Sequence, residues 1–181
     1  MTNPPLPALL KNGLGTLRAK ANCLKRTNLY FVGRGPYIQL MIDDLYNSDI
    51  LTLSAQLEDG QLSEPDGTAR EVSKLCGSEL EIDIAMNGEL VSDVALRVQA
   101  CALGQSSAAI LQEAIIGATL EEVVEARDAL RAMLKEGGAP PTGRFKKLAL
   151  LAGVKDYPAR HTSTQLAFAA AVRAMEAAFS I

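Results

Sequence analysis

The segment 79–86 alternates charged and hydrophobic residues with a period of two. Such alternation is typical of a β-strand with one buried face and one solvated face. Asn87-Gly88 follows, a dipeptide that is common in hairpin turns, and the segment 90–100 then continues the alternation. The pattern predicts a β-hairpin.

The register of this hairpin is predicted from the same pattern. A three-residue loop through Glu89 sets Ile82 opposite Val94 and keeps the apolar residues on one face. A two-residue turn would set Ile82 opposite Asp93 and mix the two faces. We therefore expect the longer loop.

Two of the chain's three cysteines lie at the open ends of the hairpin. Cys76 comes just before its first strand, and Cys101 comes just after its second. In the predicted register Cys76 lies opposite Ala100, so strand spacings of about 5 Å bring the two sulfurs within roughly 5 to 8 Å of each other. A metal ion or small cluster bridges such a gap with metal–sulfur bonds of about 2.3 Å. Buried cysteine is also often a small apolar core residue, and that alternative stays open.

The residues after the hairpin predict a helix whose N-terminus faces Cys101. Ser106 and Ser107 are suited to cap this helix, and Gly117 is suited to end it. Unpaired backbone N–H groups and the helix dipole stabilise negative charge at that end. The position therefore favours the thiolate form of Cys101.

Periodicity and capping residues predict the other elements. Thr119 and Glu122 form a capping box that opens a helix, which the breaker at 137–141 ends. The resulting order indicates an α+β fold: a small antiparallel sheet of about three strands, packed against several helices, with the cysteine site at the edge of the sheet. The remaining predicted elements are a helix over 43–57, a loop over 58–69, a strand around 70–75, a short helix over 144–152 and a last helix over about 164–179.

The composition is that of one globular domain. With 181 residues, 48% of them hydrophobic, the chain can bury a single core. No apolar run approaches the roughly 18 to 20 residues that span a bilayer, so we expect no membrane role. Three cysteines without a disulfide framework indicate a reducing compartment, and we expect a cytoplasmic protein.

Charge is distributed unevenly along the chain. The first 42 residues hold six basic residues and no Asp or Glu, whereas the remainder holds 12 basic against 21 acidic residues. An acidic body argues against nucleic acid as the main partner. We expect residues 1–40 to be a basic N-terminal extension outside the fold, and residues 41–181 to form the domain. The extension is either a targeting peptide or sequence upstream of the true start, for which Met41 is suited, and Cys23 within it is expected to be an incidental thiol.

In their order and spacing these motifs resemble the NifU N-terminal-like family, which includes the IscU and SufU scaffold proteins on which iron-sulfur clusters are assembled. The resemblance covers about residues 43–179. The opening Leu45-Tyr46 helix, the Cys76-Gly77 dipeptide and the segment 100–108 look like the parts of that family around its first and second cysteines. The segment 153–160 looks like the approach to the third cysteine in the SufU branch.

Two positions depart from the family pattern. Family members usually carry aspartate two residues after the first cysteine, where this chain has Ser78, and the third cysteine falls by alignment on Ser163. A serine hydroxyl is a poor ligand for a soft metal compared with thiolate. We expect Thr162 and Ser163 to cap the last helix instead, with Gln165 completing a box from Thr162.

His161 is the chain's one histidine, and imidazole binds both zinc and iron. In the family fold the third motif packs beside the first two, so the resemblance implies Cys76, Cys101 and His161 as metal ligands. A fourth ligand would come from water, a partner or a carboxylate such as Glu79. A histidine near a helix start is also commonly a surface or capping residue, and this alternative stays open.

The resemblance implies an iron-sulfur cluster scaffold or carrier that receives sulfur from a cysteine desulfurase and passes its transient cluster to acceptor proteins. With so few ligands, the cluster would be labile or shared between two copies in a homodimer. Two alternatives stay open: a zinc-bound sulfur acceptor or activator of a desulfurase, with Cys101 as the acceptor, and a metal-free interaction module of the same fold. The sequence holds no Gly-rich phosphate loop and no nucleophile elbow, so we do not expect an enzyme.

Overall fold

The computed structural model describes residues 45–180. Three strands form one antiparallel sheet in the order β1-β2-β3. The sheet and its helices confirm the predicted α+β fold. The elements are α1 (Ser48–Gln56), β1 (Gly67–Val72), β2 (Glu79–Asn87), β3 (Leu90–Gln99), α2 (Ala102–Ala114), α3 (Leu120–Glu136), a 3₁₀-helical segment (Gly143–Asp156) and α4 (Pro158–Ala178).

The basic extension predicted for residues 1–40, including Cys23, lies outside the described residues. The expected beginning of the first helix at Asp43 lies outside them as well. The first described helix is α1, which is capped by Asn47 and ends one residue before the predicted end at Leu57. A helix that continues through Tyr46 and Asn47 was predicted, and this is wrong, because the Asn47 side chain accepts from the Ile50 N–H and begins a new helix. Within residues 45–180 no helix is both long and apolar enough to cross a membrane.

The hairpin is confirmed, but its predicted register is wrong by two residues. Asn87 pairs with Leu90 across the turn, and Ile82 pairs with Leu96. One residue of the difference arises because the turn holds two residues, Gly88 and Glu89, so the expected three-residue loop is wrong. The other arises from a β-bulge in β3 next to the turn, where Ser92 is the extra residue. Because side chains alternate with a period of two, a two-residue shift leaves the apolar residues on the predicted face.

The capping box at α3 is confirmed, whereas the predicted cap of α2 is wrong. Thr119 Oγ1 accepts a hydrogen bond from the Glu122 backbone N–H, and the Glu122 carboxylate accepts one from the Thr119 N–H. The N-cap of α2 is Cys101. Ser106 and Ser107 lie buried inside the helix, where Ser106 Oγ donates to the Ile50 carbonyl oxygen at 2.7 Å and ties α1 to α2.

The last helix begins earlier than predicted. α4 begins at Pro158, because proline lacks only an N–H that the first helical turn leaves unpaired. Thr162 and Ser163 therefore lie inside the helix, and their predicted capping role is wrong. Ser163 Oγ donates to the Arg160 carbonyl oxygen one turn earlier, at 3.0 Å.

Helix α4 forms the centre of the core and packs against β1, β2, α2 and α3. Its Phe168 is fully buried, and the Phe168 ring meets the Phe145 ring edge-on with 5.3 Å between centroids. Contact with β1 is close because Gly67 has no side chain. A Cβ at Gly67 would lie 3.0 Å from the Ala174 carbonyl carbon and the Ala178 nitrogen, and closer still to the Ala174 oxygen. The helix thus fixes β1, which leads into the turn that carries Cys76.

An ion pair between the buried Asp83 and the half-buried Arg97 holds the loop before β1 on the sheet. Asp83 is 3% exposed and accepts hydrogen bonds from Arg97 Nη1 at 2.7 Å and Thr68 Oγ1 at 2.9 Å. Arg97 Nη1 also donates to the Gly60 carbonyl oxygen at 2.9 Å. Hydrogen bonding to Arg97 holds the pKa of Asp83 below its usual range.

Candidate metal and sulfur site

Cys76 lies in the tight connection between β1 and β2. The Ser73 N–H donates to the Ser78 carbonyl oxygen at 2.7 Å, and the Gly77 N–H donates to the Ser73 carbonyl oxygen at 2.9 Å. Gly77 has φ +69°, a conformation that glycine adopts without the steric cost borne by other residues. The glycine after Cys76 is therefore a requirement of the turn.

Cys101 follows β3 after one intervening residue, Ala100, and is the N-cap of α2, which confirms its predicted position at the start of a helix. That this helix end favours the thiolate form of Cys101 stays a prediction. Cys76 and Cys101 line the same open cleft of about 390 Å³, together with Gly77, Ser78, Gln105 and Arg160. The cleft lies where the strands end, rather than along an edge strand. The two cysteines thus line one cleft, and their role as metal ligands stays a prediction.

Two hydroxyl groups surround the Cys76 thiol. Cys76 Sγ lies 3.2 Å from Ser73 Oγ and 3.1 Å from Ser78 Oγ. Hydrogen bonding with Ser73, and then with Ser78, lowers the pKa of Cys76 to about 7 against the opposing effect of burial. Cys76 is thus a substantial fraction thiolate at neutral pH, which is the form that binds metals and attacks sulfur.

Ser163 comes into the site from α4. Its Oγ lies 3.6 Å from Cys101 Sγ, and hydrogen bonding with Ser163 also contributes to the lowered pKa of Cys76. This approach depends on Gly104, because a Cβ there would lie 3.1 Å from the Ser163 carbonyl oxygen. Ser78 and Ser163, the two positions that depart from the family pattern, thus both lie beside the thiols.

One of the two ring nitrogens of His161 is hydrogen-bonded to the backbone. Its Nε2 lies 3.1 Å from the backbone oxygens of Val154 and of Lys155, and its ring is 8% exposed. Both oxygens are acceptors, so Nε2 carries a hydrogen and holds α4 to the preceding 3₁₀ segment. Over residues 45–180, no three His, Cys, Asp or Glu side chains are grouped so that they could hold a metal ion.

Sequence reasoning missed the part that Ser73 plays. Its hydroxyl reaches Cys76 only because the turn closes between Ser73 and Ser78, and no local pattern marks that closure. Gln105 was also missed, since the late start predicted for α2 concealed that it lies in the first turn of that helix. Arg160 was part of the segment that resembles the family, but its place on the wall of the cleft follows from the packing of α4.

Solved structures share this fold. The N-terminal NifU-like protein of Brucella abortus superposes with a TM-score of 0.75 and 45% sequence identity, over 77% of this chain and 98% of that one. FiSufU of Fervidobacterium islandicum AW-1 superposes with a TM-score of 0.68 over 74% of this chain and 98% of that one. At 22% identity, the second match is a likeness of fold.

Curated relatives and a family profile match as well. The iron-sulfur cluster assembly scaffold protein IscU of Thermotoga maritima is 29% identical over 85 residues, 47% of this chain and 59% of that protein. The IscU protein of Streptococcus pyogenes serotype M1 is 25% identical over 101 residues, 56% of this chain and 64% of that protein. The chain thus spans about three fifths of the length of these relatives. The profile described as NifU-like N terminal domain matches residues 46–164, more than half of the chain, so the chain belongs to the NifU-like N-terminal domain family.

Proposed function

We propose that this protein is a scaffold or carrier for iron-sulfur cluster assembly, which holds its cluster through Cys76 and Cys101 and passes it to acceptor proteins. The observation that carries the proposal is the convergence of two thiols on one open cleft. Iron-sulfur clusters are held by cysteine thiolates. The names of the matched relatives, iron-sulfur cluster assembly scaffold proteins, support the same function.

The small number of sulfur ligands supports a transient cargo rather than a permanent cofactor. A [2Fe–2S] cluster takes four protein ligands, and the cleft supplies two thiols. We propose that a second copy of the chain, or a protein partner, completes the ligand set. Leu75, directly before Cys76, is 77% exposed and offers an apolar contact for such a partner. A cysteine desulfurase and cluster acceptors are the partners that this function requires, and binding and transfer need no catalytic turnover.

A ligand role for His161 stays a prediction. Because Nε2 is hydrogen-bonded to two carbonyl oxygens, the ligand atom would be Nδ1. Replacing His161 with glutamine keeps a hydrogen-bond donor but removes the imidazole. If His161→Gln binds as much iron as the wild type, His161 is not a ligand and the two cysteines are the ligands of the chain.

One observation favours a second function, that of a sulfur acceptor for a desulfurase. Hydrogen bonding with Ser73 and Ser78 lowers the pKa of Cys76 to about 7, so this thiol is suited to act as a nucleophile at neutral pH, whereas the sequence had indicated Cys101 as the acceptor. The Cys76 thiolate would attack the outer sulfur of the desulfurase persulfide. The sulfur–sulfur bond there breaks, the desulfurase cysteine leaves as a thiolate, and Cys76 becomes the persulfide.

Anaerobic purification followed by iron, zinc and acid-labile sulfide analysis tests these functions. We compare the wild type with Cys76→Ala and Cys101→Ala, and use Cys23→Ala as the matched cysteine control. Iron and sulfide that are lost in the two cleft variants but kept in the control support the scaffold. Zinc without sulfide favours the sulfur acceptor. Neither metal nor sulfide after reconstitution would refute the scaffold and leave an interaction module of this fold.

A further inference from the structure

Three buried serine hydroxyls surround the two thiols. Ser73, Ser78 and Ser163 are 0%, 5% and 1% exposed, whereas Cys76 and Cys101 are half-buried. Each serine oxygen lies within 3.6 Å of a cysteine sulfur. The site thus places fixed hydroxyls on its protein side and leaves the sulfurs open to the cleft.

The chemistry of these groups favours hydrogen-bond donation over metal binding. A neutral hydroxyl is a poor ligand for a soft metal. A thiolate sulfur, by contrast, can only accept hydrogen bonds, and bonds to an ionised group are stronger than bonds between neutral groups. In the structure the Cys76 thiol donates to Ser73 Oγ. When Cys76 loses its proton, rotation about the C–O bonds of Ser73 and Ser78 directs their hydrogens toward its sulfur.

Ser163 is the serine that links the two sulfurs. Its hydroxyl lies 3.6 Å from Cys101 Sγ and is near enough to Cys76 to help lower the pKa of that thiol, after the larger effects of Ser73 and Ser78. The close approach of α4 to Gly104 fixes the backbone of Ser163 beside the two cysteines. The Ser163 hydroxyl has one hydrogen and two possible acceptors, the Arg160 carbonyl oxygen at 3.0 Å and Cys101 Sγ at 3.6 Å, so rotation about its C–O bond directs the hydrogen to one or the other.

We propose that Ser73, Ser78 and Ser163 form a hydroxyl shell that donates hydrogen bonds to the cysteine sulfurs without itself binding metal, so that each chain presents a two-sulfur site to its cargo. Such bonds withdraw electron density from the sulfurs and raise the reduction potential of bound iron. They also weaken the sulfurs as metal ligands, which favours release. The inference rests on the proposed function for the identity of the cargo but not for the geometry of the site.

Co²⁺ titration under anaerobic conditions tests the shell without any cluster. We compare the wild type with Ser163→Ala, Ser163→Cys and the control Ser107→Ala. The control removes a fully buried serine oxygen of α2 that has no hydrogen-bond partner among the described residues. The readouts are the sulfur-to-cobalt charge-transfer band, which reports thiolate number and donor strength, and the d–d bands, which report coordination.

The shell predicts that Ser163→Ala moves the charge-transfer band to lower energy, leaves its intensity per cobalt unchanged and leaves the d–d bands in place. Ser163→Cys should raise the intensity by about half, because three thiolates replace two. Ser107→Ala should match the wild type. In the iron-loaded protein, Ser163→Ala should shift the reduction potential to more negative values.

Three results would overturn the shell. The first is a change of the d–d bands in Ser163→Ala, which would make Ser163 a ligand. The second is a charge-transfer band that Ser163→Ala moves no further than Ser107→Ala does. The third is the absence of any thiolate band in the wild type, which would mean that the two cysteines do not act as one site. If the wild type holds no iron and sulfide, the scaffold function is refuted. The cobalt spectra still test the hydroxyl shell, because they require no cluster.

Discussion

Replacing Gly67 with alanine should destabilise the protein by forcing β1 away from α4. The new Cβ would lie 3.0 Å from two backbone atoms of α4 and closer still to the Ala174 oxygen, whereas carbon atoms pack best at about 3.5–4.0 Å. Overpacking typically costs about 1–3 kcal/mol. The upper end applies here, because backbone atoms cannot rotate away as a side chain would.

Alanine in a strand is more favourable than glycine by roughly 0.5–1 kcal/mol, because glycine loses more backbone entropy on folding. We therefore expect Gly67→Ala to lose about 2 kcal/mol, which lowers Tm by about 4–8 °C in a chain of 181 residues. Thermal unfolding followed by circular dichroism measures this. The matched control is Gly60→Ala, whose Cβ would lie 3.6 Å from the Ala95 Cβ, an ordinary contact. Equal Tm values for the two variants would refute the close packing of β1 on α4.

Three further predictions concern the site, a helix cap and the ion pair between Asp83 and Arg97. Alkylation of Cys76 in the metal-free protein, resolved by peptide mass spectrometry, should be half-maximal near pH 7, and Ser78→Ala should raise that midpoint; a wild-type midpoint near pH 9 would contradict the role of the hydroxyls. Thr119→Ala should lower the free energy of unfolding by about 1 kcal/mol, measured in urea, because the capping box at α3 is lost. The pKa of Asp83 is lowered by Arg97, so its stabilising effect is complete above about pH 4 and is lost as the pH falls through the folded-state pKa. Urea titrations should therefore show a smaller acid loss of stability in Asp83→Asn than in the wild type, and parallel curves would count against the ion pair.

The parts of the fold that local patterns specify were predicted well. The alternation over residues 79–86 identified β2, and the Thr119 capping box identified the start of α3, because both signals lie within a few residues. The hairpin register was missed because the bulge at Ser92 carries no proline, glycine or charge pattern that marks it. The start of α4 was missed because Thr162 and Ser163 look like caps, while Pro158 is equally suited to begin a helix.

The site was predicted only as far as its cysteines. Their places at the strand ends follow from the hairpin, so their convergence could be expected. The hydroxyls around them depend on contacts across the fold, such as the approach of Ser163 past Gly104. The orientation of His161 depends likewise on the path of the 3₁₀ segment, whose backbone oxygens accept its hydrogen.

The cleft joins segments that are far apart in the chain, with Cys101 and Ser163 separated by 62 positions. An unfolded chain cannot hold these groups together, so a cargo that bridges the two sulfurs binds the folded state alone. Such a ligand stabilises the fold by mass action, by about 2.7 kcal/mol when its concentration is a hundred times Kd. The loaded protein is therefore the more heat-resistant form. Under the proposed function, each delivery to an acceptor would return the chain to its less stable state, and its lifetime in the cell would be linked to the supply of iron and sulfur.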